Sequence, residues 1–340
     1  MPEKTIADAI HDAIHDEMAR DPSVVVMGED VGYKGGVFKI TDGLQQEFGM
    51  YRAFDTPIAE VGIAGIAIGA ALSGLKPIAE MQFADYSLPA YDQIVNEAAC
   101  IRYRSNGNWG CPVVFRSPFG AGVHGGLYHS QSVEALFCHT PGLKVVIPAT
   151  AYDAKGLILS AIRDPDPVMF YEHKKSYRRY REEVPDGDYT VPIGKAKVQR
   201  EGTTLSVITY GVGVHWALEA ARAVEGEGVS VEVLDLRTLR PLDLEAISAT
   251  TAKTGKVLIL HEDNKTMGIG AEVGAFIAEN CLDSLDAPIV RIGALDSHIP
   301  YNAEQENAIL PNPTIVTEAI RKLAAYWGEV LSAAGALWAA

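Results

Sequence analysis

The sequence predicts an α/β protein of two domains, each built on a mainly parallel sheet. Three observations carry this expectation. The chain has 340 residues, enough for about two hydrophobic cores. Short β-branched runs alternate with segments of helical periodicity along most of its length. The alternation breaks once, between Arg181 and Gly202, and then restarts.

Thr5 to Arg20 places Ile6, Ile10, Ala13, Ile14 and Met18 at helical spacing behind an N-cap threonine, which predicts an amphipathic helix. Val24–Met27 is a β-branched run ending in Gly28-Glu29-Asp30, and similar runs recur at Val113–Phe115, Lys144–Ile147 and Val168–Tyr171. Helical patterns lie between them at Ala59–Leu75, Pro89–Arg104 and Ala151–Arg163. Uniformly apolar strands separated by helices indicate a parallel sheet covered on both faces. This first domain is drawn at residues 1–185, and the charged, Pro- and Gly-rich stretch 186–202 reads as a connection. The second domain, 203–326, alternates strands at Leu205–Tyr210, Ser230–Leu236, Val257–His261 and Ile289–Ile292 with helices at Val214–Glu225, Asp243–Lys253, Gly270–Asn280 and Thr314–Tyr326. The last strand is expected beside Val257–His261. Residues 327–340, Ala-rich with Trp327 and Trp338, form a tail whose role composition does not reveal.

Composition excludes several function classes. With 29 Lys and Arg against 44 Asp and Glu, the net charge of −15 repels nucleic-acid backbones and anionic membranes. Cys100, Cys111, Cys138 and Cys281 form no CxxC pair, and the N-terminus lacks a signal-peptide pattern, so a cytoplasmic, reducing location is expected. The uncharged stretch Val61–Leu75 carries Gly62, Gly65, Gly69 and Gly74 and falls short of the roughly 20 residues of a spanning helix. It reads as a buried, closely packed helix.

Several catalytic-looking patterns fail on inspection. Gly211-Val-Gly213 and Gly268-Ile-Gly270 both lack the third glycine of a dinucleotide fingerprint, and no P-loop occurs. Ser73 with Lys76, and Lys253-Thr-Gly255, have no companion SDN-like element. His11 and His15 are spaced to grip a metal but lack a third ligand. Two signals remain. In Asp55-Thr-Pro-Ile-Ala-Glu60, Thr56 can cap a helix with Pro57 first, which makes Glu60 the fourth helical residue, one position too late for a capping box. The apolar run after it suggests a carboxyl entering a dry environment, with a dipole-favoured acid in the first turn as the alternative. The second signal is the loop from Arg116 to Glu134, which holds four glycines with His124, Tyr128 and His129 between regular elements, a favourable place for a site although such histidines are often structural.

Taken in order, GEDV at Gly28–Val31, GGVF at Gly35–Phe38, DTPIAE at Asp55–Glu60, AEMQFADY at Ala79–Tyr86, RSPFGAGVHGGLYHSQS from Arg116 to Ser132, PGLKVVIP at Pro141–Pro148 and DLRTLRPLD at Asp235–Asp243 resemble the β subunits of 2-oxo acid dehydrogenases. QFADY, PAYDQI and GGLYHSQS look most like the branched-chain type, and pyruvate enzymes come next. The resemblance implies a transketolase-like pyrimidine-binding domain followed by a transketolase C-terminal domain. It implies thiamine diphosphate shared with an α subunit that holds Mg²⁺ through a GDG…NN motif, and this chain has neither GDG nor an Asn-Asn pair.

By family position Glu60 activates the cofactor's aminopyrimidine, Gln82 and Tyr86 join Glu60 in binding it, with Phe83 a neighbouring candidate for the aromatic role, and His129 serves transfer to a lipoyl group. The resemblance also implies an α₂β₂ heterotetramer, a small 2-oxo acid substrate and a lipoyl acyltransferase core whose basic binding domain docks on the C-terminal domain. A K⁺ ion is expected near Asp164 and Asp166 with backbone oxygens of Val113, Val114 and Ala161. A transketolase-like ketol-transfer half-enzyme and a non-enzymatic acidic module are the rival classes, and a module would have no need of Glu60 or the His129 loop.

Overall fold

The computed structural model describes residues 2–326, so the tail 327–340 lies outside the described residues. The chain divides into two compact units. The first runs to Gly194 and includes Arg237–Pro241 and His298–Glu306; the second comprises Lys195–Leu236, Leu242–Ser297 and the chain from Asn307.

In the first half of the chain the elements are β1 (Glu3–Thr5), α1 (Ile6–Arg20), β2 (Val24–Gly28), α2 (Leu44–Phe48), β3 (Ala53–Asp55), α3 (Glu60–Leu72), β4 (Lys76–Glu80), α4 (Ile101–Arg104), β5 (Val114–Phe119), α5 (Glu134–Cys138), β6 (Lys144–Val146), α6 (Ala151–Arg163), β7 (Val168–His173) and β8 (Arg181–Glu183). There follow β9 (Lys197–Arg200), β10 (Leu205–Thr209), α7 (Val212–Glu225), β11 (Val231–Asp235), β12 (Thr238–Arg240), α8 (Leu244–Thr254), β13 (Val257–Asn264), α9 (Ile269–Asn280), β14 (Val290–Ala294), α10 (Ala303–Ile309) and α11 (Pro313–Ala324).

The first unit holds a seven-stranded sheet of order β12-β6-β7-β5-β4-β2-β3, parallel except for β12 against β6. Its central strands β2, β5 and β7 are buried at every residue, as their unbroken apolar runs predict. Helix α1 opens with a reciprocal capping box, in which Thr5 Oγ1 accepts the Asp8 N–H and Asp8 accepts the Thr5 N–H. Its apolar face, Ile6, Ile10 and Ile14, packs with Leu157, Ile158 and Ala161 of α6 in one cluster.

Three strands of this sheet are joined by charge. Arg116 on β5 is fully buried and lies between Glu80 on β4 and Glu172 on β7; its Nη2 donates to Glu172 Oε2 at 2.7 Å, and the Tyr177 hydroxyl donates to the same oxygen at 2.6 Å. Burial raises the Glu80 pKa, with Arg116 opposing the rise. Burial also works against the Arg116 charge, yet Glu172 and Glu80 outweigh it and hold the guanidinium protonated.

The second unit holds a five-stranded sheet of order β14-β13-β10-β11-β9. The expected neighbour pair forms: Leu258, Ile259 and Leu260 face Val290, Arg291 and Ile292 in parallel register. The Gly-x-Gly patterns that failed as fingerprints are packing features. A Cβ at Gly213 would meet Thr209 Oγ1 at 2.2 Å, and Cβ atoms at Gly268 and Gly270 would each meet the buried His261 ring at 2.7 Å.

Other expectations are corrected. The connection 186–202 contains β9, which pairs antiparallel with β11 and closes the sheet edge, while β8 just before it pairs with β1. Charged residues belong on such edges, which is why these strands lack an apolar signature. The helix expected at Pro89–Arg104 is broken into a wide turn at Gln93–Glu97, a tight turn at Ala98–Cys100 and α4. Helix α3 is not buried all round. Ile63, Ala64, Ala67, Ile68 and Ala71 are buried, whereas Val61, Ile66 and Leu72 are 43–58% exposed. The helix is apolar on every side, and its packing among the described residues covers one of them. None of the helices among the described residues is long and apolar enough to cross a membrane, and the four cysteines are unbridged.

Glu17 at the end of α1 gives a pH test. Burial favours its neutral form, but hydrogen bonds from Arg163 (2.7 Å) and Arg20 (2.9 Å) prevail and hold its pKa at about 2 instead of 4.5. A depressed carboxyl stabilises the fold above pH about 4.5, and this stability is lost as pH falls toward about 2. Glu17→Gln is therefore expected to lower stability at neutral pH and flatten its decline between pH 5 and 2 (about the span of such shifts), as urea unfolding at stepped pH would show.

Candidate active site

Parallel α/β sheets present their functional groups at the C-terminal ends of the strands. Here Glu29 follows β2, Glu60 opens α3 after β3, Gln82, Phe83 and Tyr86 follow β4, and His129 lies in the loop after β5. The structure brings Phe83, Tyr86 and His129 together. The His129 ring meets Phe83 edge-on at 4.6 Å between centroids and Tyr86 edge-on at 5.5 Å, and the Tyr86 hydroxyl lies 3.3 Å from His129 Nε2. Phe83 and Tyr86 are themselves perpendicular at 6.2 Å. Gln82 is half-buried beside them.

Acidic groups lie near one part of this aromatic group, and Lys174 Nζ lies 5.5 Å from the Phe83 ring centre on another. The Tyr86 phenol is shifted upward by burial first and then by Asp85, Glu60, Tyr301 and Glu29. Glu29 is buried, and burial followed by repulsion from Glu60, Asp30 and Glu80 raises its pKa. Glu29 Oε1 and Thr56 Oγ1 are both buried without a hydrogen-bond partner among the described residues. Buried polar atoms ordinarily have a hydrogen-bond partner, so these two are open to one from outside the described residues.

The position of Glu60 differs from the expectation. Thr56 does not cap α3, and the helix begins at Glu60 itself, with Ala59 as a non-capping N-cap residue. Glu60 is thus a first-turn carboxylate at the positive end of α3. It is half-buried in this chain, and the dry environment predicted for it is not built by these residues alone.

The residues of the Arg116–Glu134 loop separate into different roles. Arg116 belongs to the buried charge network, His124 pairs with Glu306, and Tyr128 is 62% exposed. Only His129 joins the aromatic group. Asp85, which the sequence did not single out, anchors the loop's far end by accepting the Gln131 N–H at 3.1 Å, and burial raises its pKa while Lys174 opposes the rise. Glu29 also went unassigned, although a glutamate directly after a buried strand and a positive-φ glycine is a readable signal.

The expected cation ligands lie at the opposite, N-terminal ends of the strands, where β5 and β7 begin. Both Asp164 oxygens accept from Lys144 Nζ at 2.6 Å, and Asp166 pairs with Arg102. The carbonyl of Ala161 accepts the Asp164 N–H at 3.3 Å and that of Val113 the Val168 N–H at 3.0 Å, with Val114 opening β5.

Comparison with known proteins fits this arrangement. Residues 3–179 match the transketolase pyrimidine-binding domain and residues 194–316 the transketolase C-terminal domain. The 2-oxoisovalerate dehydrogenase subunit beta of Bacillus subtilis (strain 168) is 57% identical over 94% of this chain and 98% of its own length. The pyruvate dehydrogenase E1 component subunit beta of the same organism is 50% identical over 95% and 99%. A solved structure described as a split gene transketolase, inactive beta4 tetramer, shares the fold with a TM-score of 0.76 at 23% identity, covering 94% of this chain and 98% of that one. Carrying both domains in order and matched along nearly its whole length by such relatives, the chain belongs to the transketolase-like family of 2-oxo acid dehydrogenase β subunits.

Proposed function

We propose that this chain works with an α subunit, as an α₂β₂ assembly in the cytoplasm, in the oxidative decarboxylation of branched-chain 2-oxo acids and hands the acyl group to a lipoyl group on an acyltransferase core. The observation that carries the reading is the contact of Tyr86 and His129 after the C-terminal ends of β4 and β5, with Glu60 near enough to help raise the Tyr86 pKa. The 57% identity to a 2-oxoisovalerate enzyme favours branched-chain substrates, and the 50% identity to a pyruvate enzyme supplies the competing substrate.

The residues suit the aminopyrimidine of thiamine diphosphate. Phe83 and Tyr86 offer aromatic surfaces, and Glu60 is a carboxyl able to hold a proton at a ring nitrogen. Glu29 Oε1 and Thr56 Oγ1 are buried atoms awaiting partners. When bound, this cofactor supplies the nucleophilic carbon that takes up the 2-oxo acid and releases CO₂. Glu60 would hold a proton at a nitrogen of the ring, Tyr86 and Gln82 would hold the ring in place, and His129 would orient or protonate the incoming dithiolane. The reading gives the diphosphate and Mg²⁺ to the α subunit, because the sequence lacks the GDG and Asn-Asn pattern. The exposed apolar residues of α3, Val61 directly after Glu60 and Ile66 further along the helix, support a partner on this helix, whose contact near Val61 would dry the carboxyl.

The reading also includes a K⁺ ion at Asp164 and Asp166. Since Lys144 and Arg102 already pair with these carboxylates, the backbone oxygens of Val113, Val114 and Ala161 would do most of the holding. Lower thermal stability on exchanging K⁺ for Li⁺ supports the ion, and indifference removes it.

Glu60 and His129 serve different steps, so their variants should part. Glu60→Gln keeps size but cannot shuttle a proton, and decarboxylation is expected to fall by about 10²- to 10⁴-fold, the range for positioned acid–base groups. His129→Ala should spare activity with an artificial electron acceptor and depress activity of the whole complex. Wild-type exchange of the cofactor's C2 hydrogen in Glu60→Gln would reduce Glu60 to a helix-turn carboxylate.

A further inference from the structure

We propose that Glu306 is a positioning residue for His129. The idea deepens the functional reading above and rests on it. Glu306 lies in the first turn of α10 and its side chain has no exposure. Its carboxylate accepts the Gly122 N–H at 2.7 Å and pairs with Nδ1 of His124. Both contacts fall on the loop that leads to His129.

The loop cannot hold this shape by itself. Gly120, Gly122 and Gly126 have φ of 83°, 83° and 66°, and His124 adopts φ 58°, a left-handed conformation that costs a non-glycine residue energy. Glycines also give up more backbone freedom on ordering than other residues. External clamps offset this. Tyr301, five residues before Glu306, lays its ring across Gly126, where a Cβ would come within 2.6 Å of three ring atoms. Asp85 takes the Gln131 N–H at the far end. His129 therefore sits between a clamp at Gly126 and a clamp at Gln131, with the Glu306 pair fixing the approach. The same Asp85 directly precedes Tyr86, whose hydroxyl faces His129 Nε2, so the loop's register sets the distance between the two side chains.

A merely structural Glu306 would stabilise the whole unit and affect every activity alike. A positioning Glu306 acts on the acyl hand-over through His129 and leaves decarboxylation to Glu60. The test uses the complex assembled with its α partner and acyltransferase, carrying Glu306→Ala, Glu306→Gln or Tyr301→Leu, the last at a residue 63% exposed and therefore tolerant of change. Amide hydrogen exchange is followed across residues 120–131 and across β5 and β7. In parallel, whole-complex activity is divided by activity with an artificial electron acceptor.

Glu306→Ala removes the acceptor of the Gly122 N–H and the partner of His124 together, so it should speed exchange in the loop by about tenfold or more while the strands keep their protection. The activity ratio should fall by a similar factor. Glu306→Gln retains an acceptor for Gly122 and should restore much of both, and Tyr301→Leu should loosen the loop without unfolding the unit. Unchanged loop exchange in Glu306→Ala, or an equal fall in both activities, would overturn the proposal. A wild-type complex without 2-oxo acid activity would sink the functional reading alone, since exchange still reports whether Glu306 fixes the loop.

Discussion

The first unit depends on a buried charge arrangement that ties three parallel strands together. Arg116 on β5 bridges Glu80 on β4 and Glu172 on β7, and Tyr177 completes the set. Such a network is no net gain over a hydrophobic core, but once present it cannot lose a member cheaply: an unpaired buried charge costs about 3–5 kcal/mol. It lies just before the strand ends from which Phe83, Tyr86 and the His129 loop depart. The relative level of β4 and β5 is thus fixed by charge pairing in addition to backbone hydrogen bonds, and the aromatic group inherits that alignment.

Beyond the network, the site is held together by long-range contacts: Asp85 and Glu306 meet the His129 loop, while Glu29 Oε1 and Thr56 Oγ1 are buried without a hydrogen-bond partner among the described residues. Like charges gathered with unsatisfied oxygens are unfavourable in an isolated fold. Their presence is consistent with a cofactor and a second subunit supplying the missing donors. The exposed face of α3 has the same meaning in apolar terms, since Val61, Ile66 and Leu72 continue the buried pattern of the helix outward.

Much of this was legible in the sequence. Period and β-branching located β2, β5, β6 and β7 of the first sheet and β10, β11, β13 and β14 of the second, because buried strands are uniformly apolar, but missed β3 and β4, whose short AFD and KPIAE segments have no β-branched run. Glu60 stood out because a capping box did not explain it, whereas His129 was distinguished from the other loop residues only by the family resemblance. What escaped notice depends on distance along the chain. Glu306 meets Gly122 from 184 residues away and Arg116 meets Glu172 from 56, and no local pattern encodes either pairing. Arg116 looked like part of a loop site and proved to be core. The α3 start was misplaced because Thr56-Pro57 is a strong capping signal, yet the helix begins only at Glu60 and Thr56 Oγ1 is left without a partner among the described residues. Edge strand β9 was hidden by its charges, and the one-sided exposure of α3 reflects a surface that sequence period alone does not assign.

The central claim is that this chain carries half of a cofactor site. Calorimetric titration with thiamine diphosphate and Mg²⁺, of the chain alone and of the chain with its α partner, tests it most directly. The account predicts no saturable binding to the isolated chain and two sites per assembled α₂β₂ tetramer. Tight binding by the chain alone would contradict it.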